Sequence, residues 1–180
     1  SDQQGTRSDS SVDVTPDTAG DSAKPYADTW QLYWQAGWRG VLPLPERAKA
    51  LPPDGFTGHD GTDPSYADCY AWAEDRPTAN IGLRLPETVV GLDVDGYAGK
   101  QGPQTLAALE SEHGPLPLTV RSTSRGFDQP SCISLYRVPA GILLSERGLA
   151  GIEIIQRSHR YVACWPSIHP NGGRYEWLDE

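Results

Sequence analysis

At 180 residues the chain has room for one sizeable domain, or for two small subdomains sharing a core. Its 37% hydrophobic content, with six Trp and eight Tyr, is that of a globular protein, and no apolar run approaches the ~20 residues of a membrane span, so no membrane partner is expected. A net charge of −9 argues against long-range steering of the whole chain toward nucleic acid.

The N-terminus is polar and acidic rather than basic then apolar, which is not the pattern of a signal peptide. No Met occurs, even at the first position, which predicts a trimmed or excised piece. Cys69, Cys132 and Cys164 are odd in number and widely spaced, matching neither a disulfide framework nor a zinc site, so a reducing, cytoplasmic setting is expected. Residues 1–24, rich in Ser, Asp, Gly and Thr, read as a disordered acidic leader, and residues 25–180 as the folded domain. Residues 1–28 carry six Asp against Arg7 and Lys24, while Arg121, Arg125, Arg137, Arg147, Arg157, Arg160 and Arg174 gather late. A local basic groove on an acidic protein is compatible with that distribution.

Order is expected from Pro25. Asp28 or Thr29 can cap a helix with Trp30, Tyr33 and Trp34 near one face, ended by Gly37. Trp38 to Leu44 follows as a strand, and a Pro- and Gly-rich loop runs from Pro45 to Thr62. Asp63 then caps, and Pro64 starts, a second helix through Tyr70 and Trp72. Asn80 to Arg84 reads as a strand with Val89 to Val94 as its hairpin partner, before a helix around Gln104 to His113 stopped by Gly114-Pro115. Leu118 to Arg121, Ile133 to Val138, Gly151 to Gln156, Arg160 to Trp165 and Arg174 to Leu178 are all strand-like. The fold class is therefore α+β, neither a regular βαβ array nor a repeat.

The strand Val89 to Val94 ends in Asp93 and Asp95. Side chains alternate along a strand, so both carboxylates point the same way, roughly 7 Å apart at about 3.3 Å per residue. Such a pair supplies hard oxygen ligands suited to Mg²⁺ or Mn²⁺; the same residues also describe a strand running into an Asp-Gly turn with solvated acids. Glu153 sits within Gly151-Ile152-Glu153-Ile154-Ile155, where it either faces solvent or needs a partner, since an ionised Glu is costly to bury alone. His159 and Arg160 lie just downstream, and guanidinium matches phosphate oxygens. Arg121-Ser122-Thr123-Ser124-Arg125-Gly126 is a polar loop compatible with a triphosphate, although no Walker A sequence occurs. Ser167 and His169 share a Pro-flanked loop closed by Pro170-Asn171-Gly172-Gly173. No Gly-x-Ser-x-Gly elbow supports acyl transfer there, and the four His lack zinc-like spacing.

Taken together, Gly37 to Leu44, Thr62-Asp63-Pro64, Ala79 to Arg84, the Asp93/Asp95 strand, Gly151 to Ile154, Tyr161-Val162-Ala163 and Pro166 to Trp177 resemble the bifunctional DNA primase/polymerase domain of the archaeo-eukaryotic primase superfamily. The similarity covers about residues 29 to 178. It implies a two-part primase-like catalytic core, with an RNA-recognition-like sheet and a smaller α/β part. It further implies template-directed nucleotidyl transfer with two Mg²⁺ or Mn²⁺ ions, Asp93 and Asp95 as the first acidic motif, and Glu153 at a third acidic position where Asp is more usual. Catalysis and metal binding would then fall to Asp93, Asp95 and Glu153. Nucleotide binding would fall to Arg121, Ser124, Arg125, His159, Arg160, Ser167 and His169. The implied partners are a single-stranded DNA template, dNTP or NTP, and a C-terminal helicase or helical priming module outside this chain. The implied setting is the cytoplasm, in a bacterial, phage or plasmid replication protein.

One departure stands out. The family's middle motif carries a His where this chain has Ile133, counted back from Val138-Pro139. His159 and Arg160 are the expected substitutes as phosphate donors. The rival reading is a degenerate module that binds nucleotide or single-stranded DNA without turnover; a metal-dependent nuclease is a third.

Overall fold

A computed structural model of the chain describes residues 24–126, 128–145 and 149–178. Of the expected acidic leader, all but Lys24 lies outside the described residues. Helix α1 (Pro25–Gln35) begins on Pro25, whose fixed φ and missing N–H suit a first helical position. Neither Asp28 nor Thr29 caps it, contrary to expectation. The helix starts earlier, Asp28 falls in its first turn, and Thr29 Oγ1 donates back to the Pro25 carbonyl. Gly37, at φ +97°, then turns the chain away.

Strand β1 (Gly40–Leu44), helix α2 (Tyr66–Asp75), strands β2 (Asn80–Arg84) and β3 (Val89–Val94) and helix α3 (Gly102–His113) follow. The chain continues as β4 (Arg121–Thr123), β5 (Cys132–Arg137), β6 (Ile152–Ile155), β7 (Tyr161–Cys164) and β8 (Glu176–Leu178). The strands form two antiparallel sheets, ordered β1-β2-β7 and β6-β3-β5-β4-β8. Together with the three helices they make a mixed α+β fold.

Three local expectations are corrected. Helix α2 is capped by Ser65, not Asp63. Ser65 Oγ accepts from Asp68 N–H while the Asp68 carboxylate accepts from Ser65 N–H, a reciprocal capping box. The expected hairpin between β2 and β3 does not form, because each is a central strand with both edges already paired. β2 lies between β1 and β7, and β3 between β5 and β6. The short link through buried Leu85 carries the chain from one sheet to the other. Strand β4 starts at Arg121 rather than Leu118, since Pro115 and Pro117 interrupt the approach and Leu118 is left exposed.

The core has two main parts. Tyr26, Trp30 and Tyr33 of α1 pack with Cys69 of α2 over Val41, Ile81 and Leu83 of the smaller sheet. Leu85 and Val162 meet Ile133, Leu135 and Ile155 of the larger one. Tyr33 joins the two parts: its hydroxyl donates to the Trp165 carbonyl at 2.5 Å and accepts from Trp177 Nε1–H at 2.8 Å. The sheets are also stitched directly, by Ser122 Oγ of β4 donating to the Ala163 carbonyl of β7 at 2.9 Å.

At the end of β3 the backbone of Asp95 is held at both poles. Its N–H donates to the Gly151 carbonyl at 2.8 Å, and its carbonyl accepts from Gly102 N–H at 2.9 Å. A Cβ on Gly102 would lie 2.4 Å from the Gly151 oxygen and 2.6 Å from the Asp95 oxygen. Both obstacles are backbone and cannot rotate aside. Gly102→Ala is therefore expected to cost about 1–3 kcal/mol, the usual penalty of overpacking. A calorimetric melt unchanged from the parent would show that this junction yields more easily than its geometry implies.

Candidate active site

Strand register alone builds the floor of the site. Glu153 of β6 pairs with Asp93 of β3, Asp93 with Ile133 of β5, and Ile133 with Ser122 of β4. Paired residues of antiparallel strands point to the same face, so these four side chains form one row across the larger sheet. Asp95, two residues beyond Asp93, shares that face. Arg121, one residue from Ser122, is on the opposite face. It lines a separate groove with Leu106, Glu110 and Tyr136, so the sheet's alternation sets it apart from the acids.

Above the row lies a cleft of about 470 Å³ between the two sheets, within the ~300–1,000 Å³ typical of small-molecule sites. It brings together Asp93, Asp95 and Glu153 with Ser124, Arg125, Arg160 and His169, all named from the sequence. Lys49, Tyr97, Lys100 and Tyr175 also line it. Its three acids thus face four cations, Lys49, Lys100, Arg125 and Arg160, and the cleft is locally cationic on a protein whose formal charge is −9.

Two carboxylates directly opposite each other on neighbouring strands repel. Arg160, at the end of the turn from β6 into β7, resolves this with one nitrogen. Its Nη2 donates to Asp93 Oδ2 at 2.6 Å and to Glu153 Oε2 at 2.7 Å. The acids respond differently. Hydrogen bonding from Arg160 holds Glu153 below the usual carboxylate range. Burial pushes Asp93 above it, outweighing the same guanidinium. Asp95 is engaged separately by Lys100 Nζ at 2.5 Å.

The turn that aims Arg160 is anchored from below. The Asp63 carboxylate accepts from Arg157 Nη1 at 3.0 and 3.1 Å and from Arg84 Nη1 at 3.2 Å. Arg84 Nη2 donates to the carbonyls of Gly58 and Gly61 at 3.2 and 2.7 Å. The residue expected to cap α2 instead fastens the long loop to the turn. His159 does not line the cleft; it flanks Glu153, with Nε2 3.4 Å from Oε1 and Nδ1 3.3 Å from the Ile154 carbonyl.

The opposite wall is held by Asn80 and Ser167. Ser167 is fully buried and bonded both ways to Ile81, accepting from the N–H at 2.7 Å and donating to the carbonyl at 3.2 Å. It thus clamps the loop before His169 to β2. Asn80 Nδ2 donates to the carbonyls of Ala48 and Ile168, both at 2.8 Å, and Oδ1 accepts from Ile168 N–H at 2.9 Å. One amide therefore positions both Lys49 and His169. His169 Nδ1 accepts from Asn171 N–H at 3.0 Å, and burial with nearby Lys49 and Arg125 lowers its pKa. Arg125 lies 3.8 Å from the Tyr97 ring centroid, a cation–π contact that stiffens its approach. The sequence offers one hint of Asn80, a polar residue opening an apolar strand, and none of Lys49 or Lys100.

Hard carboxylate oxygens suit Mg²⁺ or Mn²⁺. The Arg160 nitrogen already marks a point where a cation bridges Asp93 and Glu153. As the side chains stand, no three His, Cys, Asp or Glu among the described residues converge as a metal cluster. The donor chemistry fits a divalent ion; the arrangement holds an arginine.

A family model described as "Bifunctional DNA primase/polymerase, N-terminal" matches residues 31–180. Searches of curated proteins and of solved structures return no match. No helix among the described residues is long and apolar enough to cross a membrane.

Asp63→Ala strips the carboxylate from Arg84, whose side chain is 2% exposed. An uncompensated buried charge is expected to cost about 3 kcal/mol. Urea denaturation with an unchanged midpoint would mean that the two loop carbonyls alone suffice.

Proposed function

The chain belongs to the bifunctional DNA primase/polymerase family, and from that premise we propose that the cleft carries out template-directed nucleotidyl transfer at Asp93, Asp95 and Glu153. The family implies a nucleotidyltransferase-type enzyme, generally one that depends on metal. The observation that carries the finer reading is the juxtaposition of a carboxylate row with a cationic wall in one cleft. In the reaction the primer 3′-oxygen bonds to the α-phosphorus of a nucleoside triphosphate, and pyrophosphate leaves. Divalent ions on the carboxylates would supply Lewis acidity at the attacking oxygen and neutralise charge on the triphosphate.

The chain's own residues divide the remaining work. Asp93 and Glu153 face each other across β3 and β6, and the backbone lock at Gly102 and Gly151 fixes where Asp95 stands. Arg125, Lys49 and His169 present donors on the facing wall, where triphosphate oxygens would be met. Tyr97, with Arg125 over its ring, and the buried Tyr175 complete the lining beside them. Single-stranded DNA and dNTP or NTP are the partners of this reading.

A second reading, binding without turnover, is favoured by one residue. Ile133 stands beside Asp93 in the middle of the row and presents no hydrogen-bond donor to the cleft.

Primer extension on single-stranded DNA with Mn²⁺ or Mg²⁺, using dNTPs or NTPs, separates the two. Extension by the parent and its loss in Asp93→Asn, with the melting curve retained, is the expected result. Retained incorporation in that variant would refute the assignment of Asp93; metal-dependent nucleotide binding with no extension by the parent would establish the second reading.

Arg125→Ala is expected to raise the KM for the incoming nucleotide about 10- to 100-fold. That range corresponds to the ~1.5–3 kcal/mol of a hydrogen bond to a charged group. Steady-state kinetics showing an unchanged KM would move the triphosphate away from the Tyr97 side of the cleft.

A further inference from the structure

We propose that Arg160 is an intramolecular counter-ion that a divalent metal must displace, so that metal binding and Arg160 release are a single exchange. The inference rests on the assignment of Asp93 and Glu153 as metal ligands. Arg160 Nη2 lies 2.6 Å from Asp93 Oδ2 and 2.7 Å from Glu153 Oε2. It sits between the one oxygen of each carboxylate that turns toward the other, the place an ion shared by both would take. Mg²⁺ draws its oxygens in to about 2.0–2.1 Å, and a guanidinium nitrogen cannot remain between the same two oxygens beside a dication. One cation excludes the other.

The contact is built rather than incidental. Arg160 Nη1 also donates to the Tyr161 carbonyl at 3.2 Å, and the neighbouring Arg157 is fastened to Asp63. The arm therefore leaves a braced turn and reaches the acids at the first residue before β7. Asp95 carries its own cation, Lys100, at 2.5 Å, so none of the three acids waits uncompensated. A released Arg160 still lines the cleft and needs an anion there, which a nucleotide triphosphate supplies. The exchange therefore couples the two ligands: the triphosphate favours release of Arg160, and release exposes the metal oxygens. By linkage the coupling must be reciprocal, and couplings of this kind are typically 5- to 150-fold.

The test is Mn²⁺ affinity in the absence of nucleotide, read by calorimetry or by the electron paramagnetic resonance of free Mn²⁺. The proteins are the parent, Arg160→Ala, Arg160→Gln, Arg125→Ala and Asp93→Asn. Arg160→Gln removes the charge while keeping an amide donor, and stands in if the alanine variant does not fold. Both Arg160 variants are expected to bind Mn²⁺ about tenfold more tightly than the parent, within that coupling range. Arg125→Ala, which removes the same charge from the same cleft without touching the acids, is expected to change affinity by less than about threefold, as a loss of screened charge alone would. Unchanged or weaker binding in the Arg160 variants overturns the exchange and leaves the metal assignment standing. An equal gain in Arg125→Ala also overturns it, because the effect is then one of overall charge. If neither the parent nor the Arg160 variants bind Mn²⁺ better than Asp93→Asn, the metal assignment itself fails and the exchange falls with it.

Discussion

Two like charges set directly opposite each other across an antiparallel ladder are the constraint around which this molecule is arranged. Asp93 and Glu153 occupy paired positions on β3 and β6, where neutral residues would make a quieter sheet. The repulsion is relieved from outside the sheet, by Arg160 at the mouth of β7. That solution requires the turn between β6 and β7 to hold one course. It explains the attention the fold gives to that turn, through Arg157, Asp63 and the loop carbonyls that share Arg84. A loop that looks like a spacer in the sequence is thus part of the support of the acids.

The strands themselves were largely legible, because Val, Ile and Leu runs bounded by Gly and Pro leave few alternatives. Partner choice was not. β2 and β3 are adjacent in sequence and look like a hairpin, yet β2 has its edges taken by the preceding β1 and the distant β7, and β3 by β5 and β6. Nothing local encodes that. The same non-locality hid Asp63. Before Pro64 it has the form of a helix cap, whereas its partners lie 21 and 94 residues away.

The site was legible in proportion to how far alternation and spacing determine it. Asp93 and Asp95 share a face by strand period, and Glu153 joins them by register. The same period parts Arg121 from the acids: one residue's offset from Ser122 puts it on the other face of the sheet. Ser167 looked chemical because it neighbours His169, but it is fully buried and its one hydroxyl proton goes to the Ile81 carbonyl, so it has none to give an anion. Lys49 and Lys100 carry no pattern at all and enter the cleft only through the paths of the loops that hold them.

Asn80 leaves one further consequence. Because its single buried amide fastens the segment ending at Lys49 and the segment leading to His169, those two stretches, far apart in sequence, are mechanically one wall. Arg125 stands against the same wall, because Gly173, whose carbonyl accepts from His169 N–H, packs on the Ser124 carbonyl; a lapse in that amide's bonds would loosen Lys49 and His169 at once and unsettle the footing of Arg125. The donors that face the acid row are therefore less three separate side chains than one wall, whose spacing from the floor a single amide helps to set.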